Sequence, residues 1–340
     1  MNWQAKSAVP LTGDSCWITW EQHQRSRSLT SQLLIPLIEL STPGGRLKRY
    51  LRNSFATVAR LRRGRYQTVF VQAPSLVLGV LAIPLAAMMK FRLIVDAHNA
   101  IIEGAESGRQ PLRSLYRLLV RRADIVIVTN SALAQRLRKL GGRPGILPDP
   151  VPEFRSDAAV HGERGRIVVI STWAEDEPLE AIIAAAELLP EPLTLTITGR
   201  PRGPLAEMAR RCIRLQLCGF VPDAEYLKML ANAAVVVDLT TREDCLVCGA
   251  YEALAMGRPL VVSESHSLRE LLGAGAQFTV NKPTAIARTI IEAYENQEEW
   301  AARCAARREA YLVEWRDTAM GLLQQIAAAQ LVADELQVGS

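Results

Sequence analysis

The sequence predicts two α/β domains, each a parallel sheet flanked by helices, and three observations carry that expectation. Short apolar runs rich in β-branched residues alternate with longer segments of helical periodicity through both halves, the pattern of strand–helix–strand units rather than of hairpins. At 340 residues the chain is longer than one hydrophobic core usually organises. Between the two series of elements lies PDPVPEFRSDAAVHGERG, Pro148 to Gly165, whose prolines and polar residues read as a linker. The expected layout is a first domain over residues 1–150, a linker over 151–165, a second domain over 166–310 and a C-terminal helix over 311–340.

Taken in order, the first-half strands are expected at CWITWE (Cys16 to Glu21), TVFVQA (Thr68 to Ala73), RLIVDA (Arg92 to Ala97) and IVIVTN (Ile125 to Asn130). The second half offers RIVVIST (Arg166 to Thr172), LTLTITG (Leu193 to Gly199), RLQLCGF (Arg214 to Phe220), AVVVDL (Ala234 to Leu239), PLVVS (Pro259 to Ser263) and AQFTV (Ala276 to Val280). Most of these runs are continuously apolar, as parallel strands covered on both faces are. A segment from Glu298 to about Ala333 has helical character and follows the last strand.

Composition bounds the rest. Hydrophobic residues make up 49% and charged ones 22%, with a mean hydropathy of +0.07, which describes a globular protein with a substantial interior. Met1 to Pro10 lacks the apolar stretch of a secretion signal, so a cytoplasmic location is expected, with the six cysteines unbridged. Cys245 and Cys248 form a C-x-x-C, but Cys212 and Cys218 have the wrong spacing to complete a zinc knuckle. There is no D-x-D triplet, no histidine–carboxylate cluster at metal spacing, no G-x-G-x-x-G after a strand and no G-x-x-x-x-G-K. Neither a metal ion nor a cofactor is expected.

The charge is uneven. Between Glu39 and Asp96 there is no acidic residue, whereas Arg46, Lys48, Arg49, Arg52, Arg60, Arg62, Arg63, Arg65, Lys90 and Arg92 all fall there. The formal net charge of +5 is therefore local, and the remainder of the chain is acidic on balance. Leu47, Tyr50, Leu51, Phe55, Val58, Ala59 and Leu61 recur at helical spacing among these cations, which predicts a basic amphipathic helix suited to an anionic membrane surface rather than to nucleic acid. Arg60, Arg62, Arg63 and Arg65 are its expected lipid or acceptor contacts. The uncharged run Pro74 to Met89 is too short for a membrane span and holds Pro84; it is expected as a helix buried against the sheet or dipping into the interface.

The most specific chemistry lies in Glu243 to Ser263, EDCLVCGAYEALAMGRPLVVS. Seven residues separate Asp244 from Glu252, placing the first in the loop after a buried strand and the second about one turn into the next helix. The N-terminus of that helix, around Cys248 and Gly249, offers backbone N–H groups and a positive dipole end to a diphosphate. Gly257 and Pro259 stop the helix. Glu252 is placed for ribose hydroxyls and Asp244 for sugar hydroxyls. Elsewhere, His98 follows the strand RLIVDA, where an imidazole can donate to a ligand or take a proton, and Asp96 stands ready to orient it or to act on an acceptor hydroxyl. Gly199 and Arg200, in TGRPRG after another strand, are the nearest candidates for a phosphate contact.

The run Asp244, Glu252, Ala253, Gly257, Pro259 resembles the donor motif of GT-B glycosyltransferases of family 4, with Asp in place of the first Glu. VQAPS (Val71 to Ser75), VDAHN (Val95 to Asn99), ADIVIVTN (Ala123 to Asn130) and STWAEDE (Ser171 to Glu177) resemble instead the family 33 β-1,4-mannosyltransferase that extends chitobiosyl-diphosphodolichol. The resemblance implies two Rossmann-like domains facing across a cleft, with the acceptor on the first and a nucleotide sugar, UDP- or GDP-linked, on the second. It also implies a C-terminal helix that returns toward the hinge near Trp315, and transfer of a hexose to a lipid-linked, polyprenyl-diphosphate acceptor at the inner membrane face in polysaccharide or glycan assembly. Family 4 implies retention; family 33 implies inversion, with a general base such as Asp96 or His98. Family 4 enzymes carry an Arg and a Lys after the first strand of the second domain, and STWAEDEP has neither. A non-catalytic binding subunit and a nucleotide-sugar 2-epimerase on the same fold are the alternative expectations.

Overall fold

The computed structural model describes residues 14–73, 75–97, 99–153 and 163–338. The chain divides into two compact units, one comprising the chain up to Pro150 together with the stretch from Glu314 onward, the other Val151–Val313.

In the first unit, β1 (Ser15–Thr19), α1 (Gln24–Leu33), β2 (Leu37–Glu39), α2 (Arg46–Gly64), β3 (Thr68–Ala73), α3 (Leu76–Met89), β4 (Arg92–Ala97), α4 (Asn99–Ser107), α5 (Leu112–Arg122), β5 (Ile125–Val128), α6 (Ser131–Lys139) and β6 (Pro144–Ile146) follow one another. All six strands are parallel, in the order β2-β1-β3-β4-β5-β6. One face of this sheet, through Val69, Val71, Val95 and Val126, meets Leu78, Ala82, Leu85 and Leu119 of α3 and α5 to form the core. Trp17 stacks on Phe70, their centroids 5.1 Å apart, with both rings fully buried.

The second unit runs β7 (Arg166–Val169), α7 (Leu179–Glu187), β8 (Thr194–Thr198), α8 (Gly203–Arg211), β9 (Leu215–Gly219), α9 (Asp223–Ala231), β10 (Val235–Asp238), α10 (Cys248–Met256), β11 (Leu260–Ser263), α11 (His266–Leu272), β12 (Gln277–Thr279) and α12 (Pro283–Glu295). Its sheet is again wholly parallel, in the order β12-β11-β10-β7-β8-β9. The strand order reverses between β7 and β10, and ligands of doubly wound sheets sit at the carboxyl ends of the strands at such a reversal.

α13 (Gln297–Val338) is one continuous helix with no break at 310, because nothing in EEWAARCAARREAYLVEW interrupts a helix. It starts in the second unit and continues into the first, where Trp315 is buried and its Nε1 donates to Pro148 O at 2.9 Å.

Two further expectations are refined. In α2 the buried positions are Asn53, Thr57 and Leu61. Thr57 Oγ1 accepts from Trp20 Nε1 at 3.0 Å and Asn53 Oδ1 accepts from Thr42 Oγ1 at 2.7 Å, while Asn53 Nδ2 is buried without a partner among the described residues. The apolar residues consequently divide. Tyr50, Val58 and Leu61 turn to the core, whereas Leu47, Leu51 and Phe55, at i, i+4 and i+8, are 73%, 54% and 75% exposed. α3 does pack on the sheet, burying Leu78, Gly79, Ala82 and Leu85, but leaves Val77 and Met88 exposed, and Pro84 lies within it. No helix among the described residues is long and apolar enough to cross a membrane.

Candidate functional site

The reversal point of the second unit is built by two loops and one helix. After β7, the chain turns through Trp173, whose φ is +62°, and folds back so that the Glu177 carboxylate accepts from Thr172 N (2.8 Å), Thr172 Oγ1 (2.8 Å), Trp173 N (3.1 Å) and the Ser171 hydroxyl. Successive backbone N–H groups in such a turn make an anion-binding concavity. Where family 4 enzymes set cations, this loop fills its own concavity with a carboxylate. Asp176 ties the loop to the one after β10: its O accepts from Thr241 N at 2.7 Å, and its side chain pairs with Arg242 at 3.1 Å.

Gly199 earns its place sterically. Its φ is +83°, and a Cβ there would lie 2.3 Å from Ser171 O, so the ends of β7 and β8 approach too closely for a side chain. Arg200 beside it is exposed and lies over the Phe220 ring, 5.4 Å from the centroid, with no anchoring that aims it at a ligand.

α10 follows β10 across the loop that holds Asp244. Its C-terminus closes on Gly257 in the left-handed conformation (φ +63°), as the Gly-x-Pro stop predicts. Its N-terminus departs from the expectation. Val247 provides no side-chain cap; instead Asp238, the last residue of β10, accepts from Gly249 N at 2.8 Å. A Cβ on Gly249 would sit 2.3 Å from Ile170 Cδ1 and 2.4 Å from Asp238 Oδ2, so glycine is what lets the helix start against that carboxylate. The Gly249 N–H is therefore engaged inside the protein and is not free for a diphosphate. Cys248, the first residue of the helix, is exposed.

Glu252 lies just past the first turn of α10, half-buried, and its Oε2 accepts from the hydroxyl of Tyr226 on α9. Burial raises its pKa above the ordinary Glu range, and the Tyr226 hydrogen bond partly offsets that. Asp238 is pushed up further, first by burial, with the neighbouring Glu252, Glu177 and Asp176 adding to it against the Gly249 N–H. Its carboxyl holds a proton more tightly folded than unfolded, so the folded state loses stability as pH rises from the ordinary Asp range through the raised value. Asp238→Asn cannot ionise and keeps an oxygen for Gly249 N–H. Its gain in melting temperature over the wild type is expected to grow between pH 4 and pH 7; an equal difference at both would show that Asp238 carries no such penalty.

Asp244 lies half-buried in the loop between β10 and α10, and the neighbouring Glu243 carboxylate accepts from His266 N at 2.7 Å. No group of three or more His, Cys, Asp or Glu among the described residues is arranged to hold a metal ion. Cys16 and Cys304, both buried, have their thiols pushed up to about 12 by desolvation. Such thiols are poor nucleophiles at neutral pH.

In the first unit, His98 lies outside the described residues. Asp96 does not stand free as a base. It is fully buried and held by Arg25 of α1, whose NH2 and Nε reach Asp96 Oδ1 at 3.0 and 3.1 Å. The same guanidinium donates to Asp149 at 2.6 Å and to Leu147 O at 2.8 Å. Burial opposes the Arg25 charge, but the two carboxylates outweigh it and bind its proton more firmly. The network joins α1, the end of β4 and the chain leaving β6. At the strand-order reversal of this sheet, Thr19 Oγ1 donates to Gln72 Oε1 at 2.8 Å.

Sequence reasoning missed Arg25, Glu177, Tyr226 and Asp238. Only Asp238 left a readable signal, an acid closing a strand of valines; the others are recognised by partners distant in the chain.

Two parallel doubly wound units, with a carboxylate-bearing helix at the reversal point of the second, define a GT-B architecture. The glycosyl transferase 4-like domain model matches residues 10–147, and the glycosyl transferases group 1 model matches residues 164–296. The chain belongs to the family 4-like GT-B glycosyltransferases, an assignment that the patches resembling family 33 do not carry. Among curated relatives, it is 31% identical over 138 residues to the GDP-mannose-dependent alpha-(1-6)-phosphatidylinositol dimannoside mannosyltransferase of Mycobacterium tuberculosis. That alignment covers 39% of this chain and only 35% of the relative's length. Among solved structures, Anabaena Alr3699/HepE in complex with UDP superposes with a TM-score of 0.70 at 15% identity, over 94% of this chain and 100% of that one. Sucrose-phosphate synthase from Thermosynechococcus elongatus gives 0.64 at 18% identity, over 89% and 84%. At these identities the two structures speak for the fold.

Proposed function

We propose that the protein is a hexosyltransferase that takes a hexose from a UDP- or GDP-linked nucleotide sugar and transfers it to a lipid-linked saccharide, with no metal ion or cofactor. The observation that carries this reading is Glu252, held at the reversal point of the second unit on a helix that closes in Gly257-x-Pro259. In this reading Glu252 accepts from the ribose hydroxyls, and Asp244 meets the transferred sugar. The dependence of the Mycobacterium relative on GDP-mannose and the UDP bound to the Anabaena neighbour support a nucleotide-sugar donor. That relative's phosphatidylinositol dimannoside acceptor supports a lipid-linked one, carried here by a polyprenyl diphosphate at the inner membrane face. The exposed stripe Leu47, Leu51, Phe55 on α2, with Arg60, Arg62, Arg63 and Arg65 exposed at and just past the C-terminal end of that helix, supports peripheral docking on anionic lipid. With Asp96 engaged by Arg25, the base that an inverting reaction would need falls to His98 rather than to Asp96.

Glu252→Gln tests the central role. An amide cannot accept from two hydroxyls as a carboxylate does, and a loss of about 1.5–3 kcal/mol in UDP or GDP affinity is expected. Unchanged affinity in the folded variant would remove Glu252 from the site. One observation favours a second reading, a non-catalytic binding subunit: Glu177 fills the concavity at Ser171 to Trp173 where a phosphate clamp would stand. Donor binding without either hydrolysis or transfer to a polyprenyl-diphosphate acceptor would select that reading.

A further inference from the structure

The Tyr226 hydroxyl donates to one oxygen of Glu252, Oε2. The phenol is pushed up in pKa, first by burial and then by the carboxylate beside it, so it keeps its proton and stays a donor at any pH the protein meets. The other oxygen, Oε1, has no hydrogen-bond partner among the described residues and is not among the buried polar atoms left unsatisfied, so solvent reaches it. The torsion that turns a carboxylate group is soft and broad. A single donor on Oε2 fixes which oxygen faces outward and in what plane.

Two adjacent hydroxyls are recognised best by an acceptor whose lone pairs are already fixed in that plane, because no orientation has to be frozen on binding. Tyr226 comes from α9 and Glu252 from α10, helices that pack together, so the anchor is independent of the loops around the site. We infer that Tyr226 is a positioning residue that orients the Glu252 carboxylate toward the vicinal hydroxyls of a nucleotide ribose. This rests on the role given to Glu252 above, and the experiment separates the two claims.

UDP, GDP and the 2′,3′-dideoxy form of each are titrated calorimetrically into the full chain as wild type, Tyr226→Phe and Glu252→Gln. Phe keeps the ring and removes only the hydroxyl, and thermal melting checks that each variant folds. The wild type is expected to prefer the ribonucleotide of its cognate base over the dideoxy form, since a polar site discriminates against an analogue that leaves it unpaired. Tyr226→Phe is expected to shrink that preference about tenfold, while the dideoxy affinity stays near that of the wild type. A preference left intact in Tyr226→Phe but lost in Glu252→Gln overturns the positioning role and spares the ribose role. Equal weakening of both nucleotide forms by Tyr226→Phe also overturns it, because the ring would then act by packing alone. A preference absent in the wild type, or unchanged in Glu252→Gln, overturns the ribose role itself and the positioning role with it.

Discussion

Arg25→Met is expected to destabilise the first unit by about 3–5 kcal/mol, because it strands Asp96 as a buried carboxylate without its partner. Asp96 is fully buried at the end of β4, and the Arg25 guanidinium meets both of its oxygens. The loss should appear as a lower urea midpoint, and as faster amide exchange along β4, where the stranded charge would be opened to water most directly. Adding Asp96→Asn to Arg25→Met removes the charge that needs a partner and should recover much of the loss. A single variant that costs less than about 1 kcal/mol, or a double variant no better than the single, would mean that the network does not hold these segments together.

Replacing Arg60, Arg62, Arg63 and Arg65 by Gln is expected to weaken binding to vesicles containing anionic lipid by on the order of a thousandfold, since each basic residue near such a surface contributes about 1 kcal/mol. None of the four enters an ion pair among the described residues, so their charge is not already neutralised within the fold. The wild-type interaction should weaken as salt rises and the screening length shortens. Affinity for UDP or GDP should stay as it was, because Glu252 lies in the other unit. Cosedimentation with vesicles of mixed phosphatidylcholine and phosphatidylserine measures the effect. Undiminished binding by the quadruple variant would reduce α2 to a solvated helix face.

The two compact units, the parallel sheets and the central strands were legible in the chain because they depend on local runs. Thr68–Ala73 and Arg92–Ala97 form as expected, since a continuous β-branched apolar run has little alternative to burial on both faces. The edge strands Leu37–Glu39 and Pro144–Ile146 escaped: three residues each, one holding Pro and Gly, they are strands only because a neighbour supplies the hydrogen bonds. Glu252 was legible from the spacing and stop of its helix, whereas its partner Tyr226, 26 residues away, was not.

The sequence by itself determined that Arg46–Gly64 is a basic helix and that Asp96 ends a buried strand. Only the tertiary structure decided which stripe of that helix meets the core, since Trp20 donates to Thr57 and Thr42 to Asn53 on the inward side, leaving Leu47, Leu51 and Phe55 outside. It likewise decided that Asp96 belongs to Arg25, 71 residues away, and that Gly249 N–H belongs to Asp238. A buried charge or an uncapped helix end takes whichever partner the packing brings within hydrogen-bond reach, and local sequence pattern holds no record of that distance.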